Sequence, residues 1–114
     1  MARNIVGAGL LPCFGIHHAN KLNQFNLVDD MIEPFRPFVD YLVAKISLPD
    51  NKPLSVSLKN QILSVLSMNC RLRGEDINLL KSCEITAESL VRAMTEKKIS
   101  ELKLPILETE KFLL

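Results

Sequence analysis

Hydrophobic residues recur every three to four positions over long stretches of this chain, which is the spacing of amphipathic helices. The pattern predicts helices over residues 27–48, 56–68 and 79–97. The 56–68 helix is predicted to be a packing helix whose core face carries Leu58, Ile62, Val65 and Leu66. The inward face of the 79–97 helix is predicted to carry Leu80, Cys83, Leu90, Ala93 and Met94. A shorter apolar run over residues 3–10 predicts a helix that ends at Gly9, because glycine commonly terminates a helix. We therefore predict a mainly α fold, with all 114 residues in a single helical domain.

The segment 70–78 departs from the helical spacing, because polar and apolar residues alternate along it. Alternation of this kind predicts two short extended pieces, with a turn between them at Gly74 to Asp76. We expect this minor β segment to be a small addition to the helices.

The longest predicted helix contains two prolines, Pro34 and Pro37. Proline has no amide hydrogen, so these two residues leave the carbonyls of Asp30 and Glu33 without their helical partners. A kink is expected there, and our hypothesis is that it aims the Glu33 side chain. At the start of the same helix, Asn26 is the predicted N-cap.

The composition argues against a membrane protein and against a strongly basic nucleic-acid binder. With a net charge of +1, any DNA binding has to come from local basic patches. No apolar run approaches the ~20 residues of a membrane span. The apolar N-terminal stretch has only the outline of a secretory signal, since Pro12 and three glycines interrupt it. Three cysteines without a paired spacing fit the free thiols of a cytoplasmic protein: Cys13, Cys70 and Cys83.

The residues with the most specific chemistry lie between positions 9 and 40. Two histidines, His17 and His18, lie in a loop rich in glycine and asparagine. Asp30 and Glu33 follow at a spacing of three, which puts both carboxylates on one helix face, where they can converge on one cation or one phosphate. Imidazole beside carboxylates is a typical donor set for a divalent metal ion.

Three arginines are candidate DNA contacts, and each has a simpler explanation. Arg36 could contact a phosphate or pair with Glu33 three residues earlier. Arg71 and Arg73 would share one side of a strand and form a phosphate-binding patch, or they could be the ordinary charges of a solvated edge. The sequence leaves both alternatives open.

The same residues carry a family resemblance. The pattern G-x-x-P-x-x-G-x-x-H ends at His18, and N-L-x-x-D-x-x-E-P-F-R-P-F-V-D follows over residues 26–40. Together they resemble the CRISPR-associated integrase that inserts new spacers. The sequence strings are closest to those of the variant found in type II systems. The resemblance implies the C-terminal helical lobe of that integrase. It also implies an upstream β-rich domain and a helix bearing the first metal ligand, which this chain is expected to lack.

The resemblance also implies a site and its partners. His18 and Glu33 would be the catalytic metal ligands, with Asp30 as an auxiliary ligand or a nearby acid. The ion would be Mg²⁺ or Mn²⁺, and it would serve phosphodiester transfer on DNA. The partners would be a second copy of the chain and a small second CRISPR adaptation protein. With one family ligand missing, the chain is expected to be inactive as a nuclease or integrase by itself.

Two other classes of function remain open. A non-catalytic helical module could bind DNA or a protein and keep the metal ligands as relics. A metal-storage or redox helical protein would need further acidic or histidine pairs on other helices, and the sequence contains only scattered acids such as Glu84 and Glu88.

Overall fold

The computed structural model describes residues 1–46 and 53–108, and the mainly α prediction is confirmed there. The helices are α1 Ala2–Gly7, α2 Asn26–Ile32, α3 Arg36–Lys45, α4 Val56–Leu63 and α5 Leu79–Glu96. One antiparallel hairpin joins β1 Asn69–Leu72 to β2 Glu75–Asn78. Within the described ranges, no helix is long and apolar enough to cross a membrane. The end of the helix predicted over residues 27–48 lies outside the described residues. So do the apolar C-terminal residues Phe112, Leu113 and Leu114.

Helix α1 ends at a glycine, as the sequence predicts. Gly9 has φ +86°, a left-handed conformation that suits glycine. The amide of Gly9 donates to the Val6 carbonyl and the amide of Leu10 to the Ile5 carbonyl, each at 3.0 Å. These two bonds make a Schellman motif. Ile5, in the middle of this helix, is fully buried.

The predicted kink separates α2 from α3. A short 3₁₀ turn, Glu33–Phe35, lies between the two helices, and Pro34 is its middle residue. The missing amide of Pro34 explains why the α-helical hydrogen bonds stop here. Because the break follows directly after Ile32, Glu33 leaves the α2 helix and belongs to the turn.

Two buried clusters form the core, and α5 contributes to both. The first joins α1, α2 and α5 through Ile5, Leu27, Val28, Met31, Ala87 and Leu90. The second joins the α2–α3 break, the hairpin and the start of α5 through Phe35, Phe38, Val65, Cys70 and Leu79. Apolar burial therefore packs α2 against α1 and α5, and packs the α2–α3 break against the hairpin and the start of α5.

The buried face of α5 agrees with the predicted one only in part, since Leu90 and Ala93 are buried as expected. Leu80 and Met94, expected to face inward, are 56% and 60% exposed. Fully buried hydroxyl residues take their place: Ser82, Thr86 and Ser89. The Ser82 and Ser89 hydroxyls donate to carbonyls of the helix itself, which satisfies them in an apolar setting. Small side chains of this kind escape a search for large apolar residues.

Helix α4 also differs from its prediction as a packing helix with a core face. None of its residues is buried, and only Val65, in the following 3₁₀ turn, joins the core. The helical spacing of its apolar residues was recognised correctly. Burial depends on what lies opposite them, and the sequence pattern does not give this.

The hairpin places the two candidate arginines differently from the prediction. Arg73 and Gly74 both have positive φ, 54° and 77°, and form a two-residue turn of the kind that joins hairpin strands. Arg71 lies in β1, but Arg73 lies in the turn. The prediction that both share one side of a strand is therefore wrong.

The segment after α5 returns to the hairpin. Ile106 and Arg71 exchange two backbone hydrogen bonds, at 2.8 and 3.0 Å. Earlier in this segment, the Lys103 amide donates to the buried Ser89 hydroxyl at 2.8 Å. These contacts fix residues 102–106 along the body of the molecule.

Candidate functional site

The loop that joins α1 to α2, residues 8–25, carries the two histidines and is called the histidine loop below. One carboxylate organises it. The Asp30 Oδ2 atom accepts the amide of Ile16 at 2.5 Å and that of His17 at 2.9 Å. The Asp30 Oδ1 atom accepts the His18 amide at 3.1 Å and lies 2.6 Å from the His18 Nδ1 atom. A single side chain on α2 thus fixes three successive loop residues and one imidazole ring.

The ionised form of Asp30 is favoured by these contacts. Burial by itself raises the pKa of the carboxyl, but the amides of residues 16–18 and the imidazole lower it by more. The resulting pKa is about 2, against an ordinary value of 3.8. The Asp30 side chain is only 8% exposed, so its charge is shielded from water and directed at the loop.

Gly15 allows the loop to lie this close to α2. A methyl group at position 15 would overlap the His18 carbonyl oxygen and lie 2.9 Å from both the Asp30 Oδ2 atom and the Asn26 Cβ atom. The G-x-x-H spacing therefore has a steric cause, since only a residue without a side chain fits between the loop backbone and the helix.

The asparagine side chains of this region form hydrogen bonds with the loop backbone. Asn20 and Asn23 each accept the amide two residues later, at 2.9 Å, which is the bond of an Asx turn. Asn26 is 4% exposed and donates to the carbonyls of Cys13 and Asn20. The prediction of Asn26 as N-cap is wrong, because the cap position is Phe25. The side-chain amide of Asn26 instead connects the loop to α2 through these two hydrogen bonds.

His18 and Glu33 line the same cleft, which has a volume of about 470 Å³. Asp30 also lines it, and Leu102 and Leu104 from the C-terminal segment complete its wall. Sequence reasoning missed the two leucines, because they are far from the histidine loop along the chain and belong to no motif.

The described residues do not contain a complete metal site. Within residues 1–46 and 53–108, no group of three or more histidine, cysteine, aspartate or glutamate side chains is placed to hold one ion. The structure brings His18, Asp30 and Glu33 to one cleft, but the Asp30 oxygens already accept bonds from the loop. The assignment of these three residues as ligands stays a prediction.

His18 also lines a second cavity, of about 390 Å³. The other walls come from the loop and the start of α2, and they include Phe14, Lys21, Asn23 and Asn26. His18 therefore lines two spaces, one beside Glu33 and one among the asparagines.

The candidate DNA-contacting arginines Arg36 and Arg71 differ in the partners that their guanidinium groups contact. Arg36 pairs with Glu33 at 3.2 Å, and both side chains are well exposed, so the pair adds little stability. The Arg71 Nε atom lies 2.7 Å from a Glu108 carboxylate oxygen, and its Nη1 atom donates to the Gly74 carbonyl. Contact of these arginines with DNA stays a prediction.

Comparison with known proteins identifies the family. A family model for CRISPR associated protein Cas1 matches residues 1–52. The CRISPR-associated endonuclease Cas1 of Neisseria meningitidis serogroup C (strain 8013) is 30% identical over 107 residues. The chain belongs to the Cas1 family. The matched region is 92% of this chain but 35% of that relative, so the chain spans a minor part of the relative's length.

The Cas1 family match covers the residues that build the cleft from its N-terminal side. Residues 1–52 include the histidine loop, α2 and the break before α3. The resemblance inferred from the G-x-x-H and D-x-x-E-P-F-R-P-F spacings is thereby confirmed at the level of the Cas1 family. The assignment to the type II variant stays a prediction.

Proposed function

We propose that this Cas1-family chain provides His18 and Glu33 to a divalent metal site that serves phosphodiester transfer on DNA during CRISPR spacer acquisition. The observation that supports the proposal is the shared cleft. A loop and all of α2 separate the two residues along the chain, yet both line one space. Folding thus brings together an imidazole and a carboxylate that the family resemblance pairs.

The donor set suits Mg²⁺ or Mn²⁺. Glu33 offers a carboxylate that is about half exposed, and His18 offers an imidazole nitrogen. Oxygen donors suit both ions, and imidazole nitrogen is accepted by Mn²⁺. When bound, the ion would stabilise charge on the scissile phosphate and favour deprotonation of the attacking 3′-hydroxyl.

The residues around the cleft have separate roles in this proposal. Asp30 holds the histidine loop, and Glu33 and His18 hold the ion. Arg36 lies within 3.2 Å of Glu33, so its guanidinium is at the edge of the cleft, where it can exchange this exposed partner for a DNA phosphate. Leu102 and Leu104 add apolar side chains to the lining of the cleft.

The proposal includes inactivity of the 114-residue chain by itself. Two protein ligands leave most positions of an octahedral ion to water, so binding is weak. We expect the purified chain with Mn²⁺ to leave double-stranded and branched DNA uncut. Robust cleavage that is abolished by His18→Ala would contradict this expectation. A second copy of the chain and a small second adaptation protein are the partners proposed for full activity.

Metal binding tests the proposal directly. In a Mn²⁺ titration followed by NMR, we expect the His18 ring signals to broaden first. Glu33→Gln should weaken the effect by roughly tenfold or more. The matched control is Glu84→Gln, since Glu84 is similarly exposed and pairs with Lys81 in the same i, i+3 arrangement. Equal Mn²⁺ affinity in both variants would refute the role of Glu33.

A non-catalytic interaction module is the alternative, and one observation favours it. Large apolar side chains of the histidine loop are exposed: Leu11 by 60%, Phe14 by 70% and Ile16 by 71%. Such a surface is typical of protein contacts. If the chain acts only in this way, His18→Ala and Glu33→Ala will leave binding to DNA or to a protein partner unchanged.

A further inference from the structure

The hydrogen-bonding capacity of the Asp30 carboxylate is already occupied by the loop. Four donors converge on its two oxygens: three backbone amides and the His18 Nδ1 atom. A carboxylate has about four lone-pair positions, so these contacts use the capacity of the group. The side chain is also 8% exposed, whereas that of Glu33 is 47% exposed. The two acids therefore present different amounts of free oxygen surface to an ion.

The contact at 2.6 Å determines which nitrogen of His18 carries the proton in the neutral ring. An ionised carboxylate can only accept a hydrogen bond, so the Nδ1 atom has to donate. The Nε2 atom then keeps its lone pair. An imidazole in water favours the opposite arrangement, so the preference comes from Asp30.

We propose that Asp30 is a positioning residue and not a metal ligand. It fixes His18 as the tautomer with a proton on Nδ1, and the Nε2 lone pair is left for the ion shared with Glu33. A carboxylate behind a ligating histidine has this effect in other metal sites. The inference rests on the proposed function for its metal step alone, because the tautomer exists without any ion.

The same carboxylate also fixes where the ring is. Its bonds to the amides of residues 16–18 hold the backbone on both sides of His17 against α2. The space for this approach exists only because position 15 is glycine. Tautomer, ring orientation and loop position thus depend on one side chain.

The test is nitrogen NMR of the metal-free, histidine-labelled 114-residue protein at about pH 9, where imidazole is neutral. We expect a protonated Nδ1 and an unprotonated Nε2 for His18. In Asp30→Asn, the amide group can donate to Nδ1, and the population should move towards the Nε2-protonated form. The control is Asp29→Asn, since Asp29 is the adjacent acid on α2 and binds Asn23 instead of a histidine.

A Mn²⁺ titration of the same variants separates positioning from ligation. Glu33→Gln should lower Mn²⁺ affinity and leave the His18 tautomer unchanged. Asp30→Asn should change the tautomer and lower Mn²⁺ affinity by about 10–100-fold. An Nε2-protonated His18 in the wild-type protein would overturn the inference. So would loss of Mn²⁺ binding in Asp30→Asn with the tautomer unchanged, because that result would make Asp30 a direct ligand. If the wild-type protein binds no Mn²⁺, the proposed function fails, and the tautomer measurements still decide the role of Asp30.

Discussion

At the scale of single residues, the site depends on a close approach between the histidine loop and α2. Gly15 and Asp30 create it together, one by having no side chain and the other by accepting the loop amides. The His18 ring has its position because both conditions are met. Each condition leads to a measurable prediction.

Substitution of Gly15 by alanine should disrupt the loop. The new methyl group would overlap backbone and not the flexible end of a side chain, so the loop has to move away from α2. We expect a loss of about 2 kcal/mol in the free energy of unfolding, measured by urea denaturation. Gly7→Ala is the control, because nothing lies within 4 Å of a methyl group at position 7. A Gly15→Ala protein as stable as Gly7→Ala would contradict the steric argument.

The low pKa of Asp30 predicts how stability depends on pH. The pKa of this carboxyl is about 2 in the folded chain, against the ordinary value of 3.8. The contribution of the ionised group is therefore complete above about pH 5 and is lost as the pH falls towards 2. Over that window, the stability advantage of the wild-type protein over Asp30→Asn should shrink by roughly 1–2 kcal/mol. Urea denaturation at several pH values measures it, and a pH-independent difference would contradict the prediction.

At the scale of elements, the break between α2 and α3 decides where Glu33 lies. Pro34 follows Glu33 directly, within the 3₁₀ turn. The histidine loop is attached to α2, before the break, and Glu33 lies just after it. The position of Glu33 relative to His18 therefore depends on the geometry of this turn.

Replacing Pro34 by alanine should weaken metal binding. The restored amide can extend the α2 hydrogen bonding through the turn, which would re-aim Glu33. We expect Mn²⁺ affinity to fall several-fold, measured by the broadening of the His18 signals. Pro37→Ala is the control, because Pro37 lies in the first turn of α3, where proline is well tolerated. Unchanged affinity in Pro34→Ala would remove the hypothesis that the kink aims Glu33.

The bond between Ser89 and the Lys103 amide should hold the leucine wall of the cleft. Ser89→Ala leaves that amide without its acceptor and should cost about 1 kcal/mol of stability. Hydrogen exchange at the Lys103 amide should become faster. Ser82→Ala is the comparison, since the Ser82 hydroxyl is equally buried but donates to the Leu79 carbonyl within α5. Equal exchange at Lys103 in both variants would show that Ser89 does not fix the segment.

At the scale of the whole molecule, the sequence predicted those features that depend on local chemistry. Proline positions gave the break at Glu33, and glycine gave the end of α1. Motif spacing gave the family and three residues of the cleft, His18, Asp30 and Glu33. These signals are local because a missing amide, a left-handed φ or a fixed spacing acts within a few residues.

Several of the wrong predictions concern which residues are buried and which distant residues they contact. The buried face of α5 was partly misplaced because Ser82 and Ser89 satisfy their hydroxyls within the helix and pack as small residues. The role of Asn26 was misassigned because its partners lie in the preceding loop. Leu102 and Leu104 reach the cleft from the segment that follows α5, and no periodicity carries that information.

The double exposure of His18 has a practical consequence for chemical intervention. His18 lines the space beside Glu33 and also lines the cavity among the asparagines. Under the proposed function, a small compound lodged among the asparagines would contact His18 from outside the cleft that Glu33 lines. An inhibitor of this kind would act non-competitively, and its potency would not fall as the nucleic-acid concentration rises.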